Sequence, residues 1–172
     1  MSDDDVLFNS GVLTGPRRGA VSPPEEAWAK KKGGLALIEC PQRIPCNPCS
    51  TSCPTGAIIP FTDINDTPEI DYGKCSGCAI CVAVCPGLAC LVVDMTFSDK
   101  LALYKLPYEM LPLPDKGDSA DCLGRTGDVI ARGMIEAVTE PRRDRTYVVH
   151  VSAPKELAGD LRAIRVVKRH GQ

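Results

Sequence analysis

Cysteine is the residue type in this chain that is best placed to do chemistry. Seven of the ten cysteines lie in two runs that each end in Cys-Pro, and Cys40 lies six residues before the first run. The two runs are Cys46-x2-Cys49-x3-Cys53-Pro54 and Cys75-x2-Cys78-x2-Cys81-x3-Cys85-Pro86. The second run has the bacterial [4Fe–4S] spacing, in which the fourth cysteine ligates the other of two clusters. The predicted chemistry is therefore one-electron transfer.

The second run predicts a first [4Fe–4S] cluster, which we call cluster B. Cys-x2-Cys-x2-Cys wraps three corners of one cube, and the fourth cysteine, just before a proline with fixed φ, points to the other cube. The predicted ligands of cluster B are Cys75, Cys78, Cys81 and Cys53. The alternative is a structural zinc site, but such sites use two Cys-x2-Cys pairs or Cys/His pairs.

The first run predicts a second cluster, cluster A, with less regular spacing. Arg43 stands where the second run has Cys75, and it cannot ligate iron, so Cys40 is the nearest candidate. The predicted ligands of cluster A are Cys40, Cys46, Cys49 and Cys85 around a [4Fe–4S] cube. The alternative is a [3Fe–4S] cluster on Cys46, Cys49 and Cys85, with Cys40 free. Cys90 is predicted to be a small core residue and Cys122 a free thiol.

An internal repeat of 32 residues organises the cysteine-rich region, because the pattern from Cys46 to Pro54 recurs from Cys78 to Pro86. Each half is predicted to be a strand, a cysteine loop, a short helical turn and a second strand. The predicted strand pairs are Leu35–Ile38 with Ala57–Pro60 and Glu69–Asp71 with Cys90–Val93. Residues 35–95 are therefore predicted to form a two-cluster, bacterial ferredoxin-like core.

Two further segments flank that core. Residues 1–34 are rich in glycine and proline and predict a loose N-terminal arm with one helix at about 25–32, capped by Ser22. Residues 96–172 carry several short strand patterns separated by turns, which predict a small C-terminal β-barrel or meander that serves for docking. The predicted fold class is α+β.

Composition and missing motifs argue against several classes of function. The net charge of −2 lacks the basic excess of a nucleic-acid-binding protein, and no apolar stretch approaches the length of a membrane span. The N-terminus is acidic, without a secretory pattern, so we expect a cytoplasmic protein. The chain has no dinucleotide fingerprint, P-loop or other catalytic motif, and we expect no catalysis by this chain alone.

The first run also carries a family resemblance over about residues 35–170. Its sequence is Glu39-Cys40-Pro41-x2-Ile44-Pro45-Cys46-Asn47-Pro48-Cys49, and it is followed by the regular second run with Pro86-Gly87. Together with Lys116-Gly117-Asp118 and Pro154-Lys155-Glu156-Leu157, this resembles the small ferredoxin-like subunits of multi-subunit flavin-dependent dehydrogenases. The displaced first cysteine is the most specific element of the resemblance.

The resemblance implies a hetero-oligomer in which FAD is bound by partner subunits, sometimes with an additional [2Fe–2S] subunit. It also implies that the complex acts on an amino acid or amine such as proline, hydroxyproline or an opine. One alternative is a free soluble ferredoxin that serves several reductases. Another is a protein whose clusters only stabilise a small fold. The segments added to the ferredoxin-like core favour the subunit.

Overall fold

The computed structural model describes residues 3–13 and 22–167. Helices α1 (Asp3–Ser10) and α2 (Glu25–Lys30) precede strand β1 (Leu35–Ile38), and the cysteine loops carry the short helices α3 (Pro48–Thr51) and α4 (Ile80–Val84). The remaining elements are β2 (Cys90–Asp94), β3 (Leu101–Tyr108), β4 (Ser119–Leu123), β5 (Val129–Thr139), β6 (Tyr147–Pro154), a 3₁₀ helix (Lys155–Gly159) and β7 (Ala163–Val167).

The seven strands form one open antiparallel sheet in the order β1-β2-β3-β6-β5-β4-β7. The predicted C-terminal β-barrel is therefore wrong, because the sheet does not close, whereas strands β4, β5 and β6 pair in chain order, as in the predicted meander. The reason lies in the turn after β2. It returns the chain directly as β3, which pairs Lys105 with Val92 and covers the edge of the cysteine-rich region. The domain boundary at residues 95 and 96 stays a prediction.

The predicted strand pairs within each half are also wrong. Strand β1 pairs with β2, with Ile38 opposite Cys90, while Ile58 forms a bridge with Ile70. The reason is that the strands cross between the two halves, as is also predicted for the last cysteine of each run. The segment that follows Cys85 runs beside the strand before the first run, and the segment that follows Cys53 runs beside the residues before the second.

Alternation along the strands separates two buried side-chain clusters. In β2, Leu91 and Val93 pack into a cluster with side chains of β3, β5 and β6, whereas Cys90 and Val92 pack among the cysteine loops. In β3, residues 102, 104, 106 and 108 are buried in the first of these clusters. Because side chains alternate along a strand, Lys105 lies on the face of the cysteine loops.

The N-terminal arm is more regular than the sequence indicates. Helix α2 lies within the predicted range, but Pro24 is its N-cap and makes no side-chain bond, so the predicted cap by Ser22 is wrong. Trp28 of α2 packs against both buried clusters. The sequence did not predict α1, and residues 14–21 of the arm lie outside the described residues. Among the described helices, none has the length and apolar character needed to cross a membrane.

Candidate iron–sulfur site

The four cysteines predicted for cluster B line one cavity, together with small and aliphatic side chains. Cys75 and Cys81 are buried, Cys53 is half-buried and Cys78 is exposed. The Ala36 N–H of β1 donates to the Cys75 sulfur at 3.5 Å. N–H donors to cluster sulfur are one means by which a protein sets a reduction potential. The structure therefore brings this set together around a shared space, with one thiol at the surface.

The loop of the second run is shaped by two residues in the left-handed region. Gly77 has a φ of 67°, and Ala79, the N-cap of α4, has a φ of 65°. They reverse the chain direction between Cys75 and Cys81, which is carried on α4. An alanine in this conformation costs about 1–2 kcal/mol, so packing must hold it there. Ala79 is buried in the cluster of residues around the cysteine loops.

The four cysteines predicted for cluster A also lie close together. Burial raises the pKa of Cys40, and the negative charges of Cys85, Cys49 and Cys46 raise it further. Cys49 is buried on α3, and Cys85 is half-buried just after α4. Arg43, which occupies the repeat position of Cys75, lies 3.6 Å from Asp66 with an exposed side chain. The structure thus places Cys40 among the first-run thiols, while its binding to iron stays a prediction.

The cysteines predicted for cluster B surround a cavity and are not arranged around a single metal-ion position. Within residues 3–13 and 22–167, no group of three or more His, Cys, Asp or Glu side chains is arranged to hold a metal ion. A [4Fe–4S] cube is different, because each thiolate binds a different iron at its own corner. A ring of four cysteines lining one cavity, as the second set provides, suits the cube.

Cys90 lies between the two sets of thiols. It is 1% exposed, as expected of a core residue, and it lies in one buried cluster with Cys49 of one set and with Cys75 and Cys81 of the other. The neighbouring Cys90 thiol is the main cause that lowers the pKa of Cys85 to about 5. The sequence analysis missed this contact, although the repeat contains the signal. Ile58, the repeat mate of Cys90, lines the cluster B cavity, so the repeat predicts Cys90 beside the predicted ligands of cluster A.

A buried ion network fixes the residue next to Cys40. Glu39 accepts bonds from both Arg125 and Arg162, with closest distances of 2.5 Å, and all three side chains are 15% exposed or less. Burial raises the pKa of Glu39, but the hydrogen bonds from Arg162 and Arg125 outweigh it and hold the pKa below its usual value. The C-terminal segment is thereby joined to the start of the first cysteine run.

Lys105 makes a second contact between the C-terminal sheet and the cysteine loops. Its Nζ donates to the Gly77 carbonyl at 2.7 Å and to the Gly33 carbonyl at 3.1 Å. The sequence pattern showed a lysine inside a strand and gave no indication of this contact.

Comparison with known proteins supports the iron–sulfur assignment. Residues 42–89 match the family model of the 4Fe-4S dicluster domain, a range that includes the seven cysteines of both runs but not Cys40. The chain is 30% identical over 106 residues to the putative oxidoreductase AegA of Escherichia coli (strain K12), covering 58% of this chain and 15% of that protein. It is 46% identical over 39 residues to the thiosulfate reductase electron transfer subunit PhsB of Salmonella typhi, covering 23% of this chain and 19% of that protein.

The chain therefore spans less than a fifth of the length of either relative. No solved structure matches it significantly. The family match covers the segment that holds seven of the eight predicted ligands and leaves the two flanking segments unassigned. Residues 42–89 carry a 4Fe-4S dicluster domain, and this domain, with the similarity to an oxidoreductase and to an electron-transfer subunit, supports an iron–sulfur electron-transfer role.

Proposed function

We propose that this chain is the electron-transfer iron–sulfur subunit of a heteromeric flavin-dependent dehydrogenase, in which it relays electrons from a flavin or between flavins on partner subunits. The observation that carries the proposal is the dicluster-domain match over residues 42–89, in a structure that gathers both sets of cysteines. Each cluster, when bound, exchanges one electron at a time.

In this proposal each set of cysteines holds one [4Fe–4S] cluster. Cluster B is held by Cys53, Cys75, Cys78 and Cys81, which line one cavity. Cluster A is held by Cys40, Cys46, Cys49 and Cys85, which lie close enough to influence one another's pKa. A [3Fe–4S] cluster without Cys40 is the alternative for cluster A, and it fits the fact that Cys40 precedes the matched family segment.

The protein's own residues bring the two sites side by side. The Cys90 side chain lies in one buried cluster with Cys81 and Cys75 of one set and with Cys49 of the other, which supports two neighbouring clusters. The buried side chains of Ala36 and Val92 help to keep water from the cluster B cavity. Cys78 is exposed, so electrons would pass between cluster B and a partner on that side.

The partners belong to the same proposal. FAD would be bound by other subunits, with a [2Fe–2S] subunit as a further component, and the substrate would be an amino acid or amine such as proline, hydroxyproline or an opine. Support comes from the first-run sequence around Cys40 and from the similarity to two relatives, one a putative oxidoreductase and one an electron transfer subunit. The complex would be cytoplasmic.

Anaerobic affinity purification of the tagged chain from its native cell tests the proposal. Mass spectrometry would identify the associated proteins, and absorbance would measure flavin. We expect flavoprotein subunits in fixed stoichiometry, absent from a parallel purification of untagged cells. Recovery of a lone brown protein without flavin would contradict the subunit assignment and favour a free soluble ferredoxin.

A further inference from the structure

A half-buried lysine from the C-terminal sheet lies against the loop of the second cysteine run. Lys105 belongs to β3, outside the segment that matches the dicluster family, yet its Nζ bonds to the carbonyl of Gly77 at 2.7 Å. The same Nζ bonds to the Gly33 carbonyl at 3.1 Å. Lys105 therefore joins three segments that are distant in sequence: the turn before β1, the Cys75–Cys78 loop and β3.

The contact controls the direction of a peptide group between two predicted ligands. A trans peptide directs its carbonyl and its N–H to opposite sides. When Lys105 fixes the Gly77 carbonyl, it also fixes the direction of the Cys78 N–H. Hydrogen bonds from such N–H groups and the charge around a cluster are two of the quantities that set its reduction potential.

The charge of Lys105 acts in a poorly hydrated position. Burial lowers the pKa of Lys105, while the charges of Asp94, Cys78 and Cys75 oppose that shift. The nearby carboxylate of Asp94 accepts bonds from the Gly33 N–H and from Thr96. The ammonium group thus faces the second-run cysteines from a position where solvent screens it less than at the surface.

The first run has no matching arrangement, as the repeat shows. The repeat position of Gly77 is Pro45, which is exposed. The arginines near the first run, Arg125 and Arg162, bond to the carboxylate of Glu39, and Asp160 lies 3.9 Å from Arg125. Those arginines therefore donate to the Glu39 carboxylate, whereas Lys105, which has Asp94 nearby, bonds directly to the Gly77 carbonyl of the second cysteine loop.

We infer that Lys105 is a positioning residue that makes cluster B the higher-potential cluster of the two. Reduction adds one electron and therefore one negative charge to a cluster, and a fixed positive charge nearby stabilises the more negative state. Electrons that enter at cluster A would then collect on cluster B, next to the exposed Cys78. This inference rests on the proposed function, because it needs a cluster bound by Cys53, Cys75, Cys78 and Cys81.

The test is an anaerobic redox titration of the full chain, with EPR detection of each reduced cluster. Three variants are compared with wild type. Lys105→Gln removes the charge but keeps a donor, and Lys105→Arg keeps both. Lys100→Gln is the matched control, because Lys100 is an exposed lysine in the bend just before β3, five residues before Lys105, which corresponds to about 17 Å of extended chain.

We expect Lys105→Gln to lower the higher of the two midpoint potentials and to leave the lower one unchanged. Lys105→Arg and Lys100→Gln should titrate like wild type. Loss of one cluster in Lys105→Gln, with both retained in Lys105→Arg, would also support the inference, because the charge would then be needed to assemble that loop.

Three results would overturn the inference. The first is a Lys105→Gln protein that holds both clusters at wild-type potentials, and the second is a shift of the lower potential alone. The third is loss of both clusters in both Lys105 variants, which would show a role in folding of the sheet. In each of these the wild type still holds two clusters, so the proposed function stands. A wild type without clusters would overturn the inference and the proposed function together.

Discussion

Replacing Gly77 by alanine tests whether close contact with the Gly33–Gly34 turn shapes the cluster B loop. Gly77 has a φ of 67°, and a Cβ there would lie 2.3 Å from the Gly33 carbonyl oxygen and 2.6 Å from that of Gly34. Both neighbours are backbone, so the turn must move. Gly56→Ala is the matched control, because Gly56 has a φ of 62° and nothing within 4 Å of the added Cβ.

The two variants share the cost of a left-handed alanine, about 1–2 kcal/mol. Gly77→Ala adds the backbone shift forced by overpacking, about 1–3 kcal/mol. It also disturbs the bonds from the charged Lys105 to Gly33 and Gly77, where bonds to charged groups contribute about 1.5–3 kcal/mol. Since these effects overlap, we expect Gly77→Ala to lower the free energy of unfolding by at least about 2 kcal/mol more than Gly56→Ala.

The assay is anaerobic denaturant unfolding of the reconstituted chain, followed by visible cluster absorbance and by iron released. Gly77→Ala should lose absorbance at a clearly lower denaturant concentration than Gly56→Ala, and the cluster lost first should be cluster B. Equal midpoints for the two variants would refute the reasoning, because they would show that the contact with the turn contributes nothing beyond the backbone conformation.

Three further predictions concern the network at Glu39, the imidazole of His150 and the thiol of Cys40. Glu39→Gln leaves two buried guanidinium groups without their carboxylate, so we expect a loss of about 3–5 kcal/mol in the free energy of unfolding. Asp144→Asn, in an exposed pair with Arg142, should leave the unfolding midpoint nearly unchanged. Equal losses of stability in Glu39→Gln and Asp144→Asn would contradict a stabilising role of the Glu39 network. Burial, and then the charge of Lys105, lowers the pKa of His150 from 6.5 to about 4, so the folded state favours the neutral ring. The contribution of the neutral His150 ring to the free energy of unfolding should therefore be fully present above pH 6.5 and be lost as the pH drops toward 4. His150→Gln should remove that part of the pH dependence. Unfolding midpoints that change equally in wild type and variant between about pH 7.5 and pH 5.5 would be evidence against this prediction. Cys40→Ser should lower iron content at one cluster only. Cys122→Ala is the control and should retain all iron, because Cys122 is fully buried in the cluster of side chains from the C-terminal strands. Unchanged iron and spectra in Cys40→Ser would exclude Cys40 as a ligand.

The gathering of cysteines was predictable because ligand spacing is a local constraint. The distance along the chain between Cys75 and Cys81 already limits which corners of a cube they can reach. The repeat then indicates that the fourth cysteines are exchanged between halves. The same exchange determines the pairing of β1 with β2, but alternating apolar residues do not reveal which strand lies next to which.

The features that escaped sequence analysis depend on contacts between distant residues. Lys105 bonds to Gly77, which is 28 positions away in the sequence. Glu39 bonds to Arg125 and Arg162, which are 86 and 123 positions away. A lysine in a strand or an arginine in a turn is usually solvated. Its neighbours in the sequence therefore do not tell a solvated side chain from one that bonds to a buried partner. The single open sheet was missed for a similar reason, because β3 to β7 carry strand patterns that suit either a separate barrel or an extension of β2.

Iron and sulfide analysis of the anaerobically purified chain, combined with EPR after reduction, is the most direct test that two electron-carrying clusters are bound here. The account predicts about eight irons per chain, with a matching amount of sulfide. It also predicts two reduced signals that interact magnetically, because Cys49 of one set lies in the same buried cluster as Cys75 and Cys81 of the other. A chain that holds zinc or no iron, or one whose clusters cannot be reversibly reduced, would contradict it.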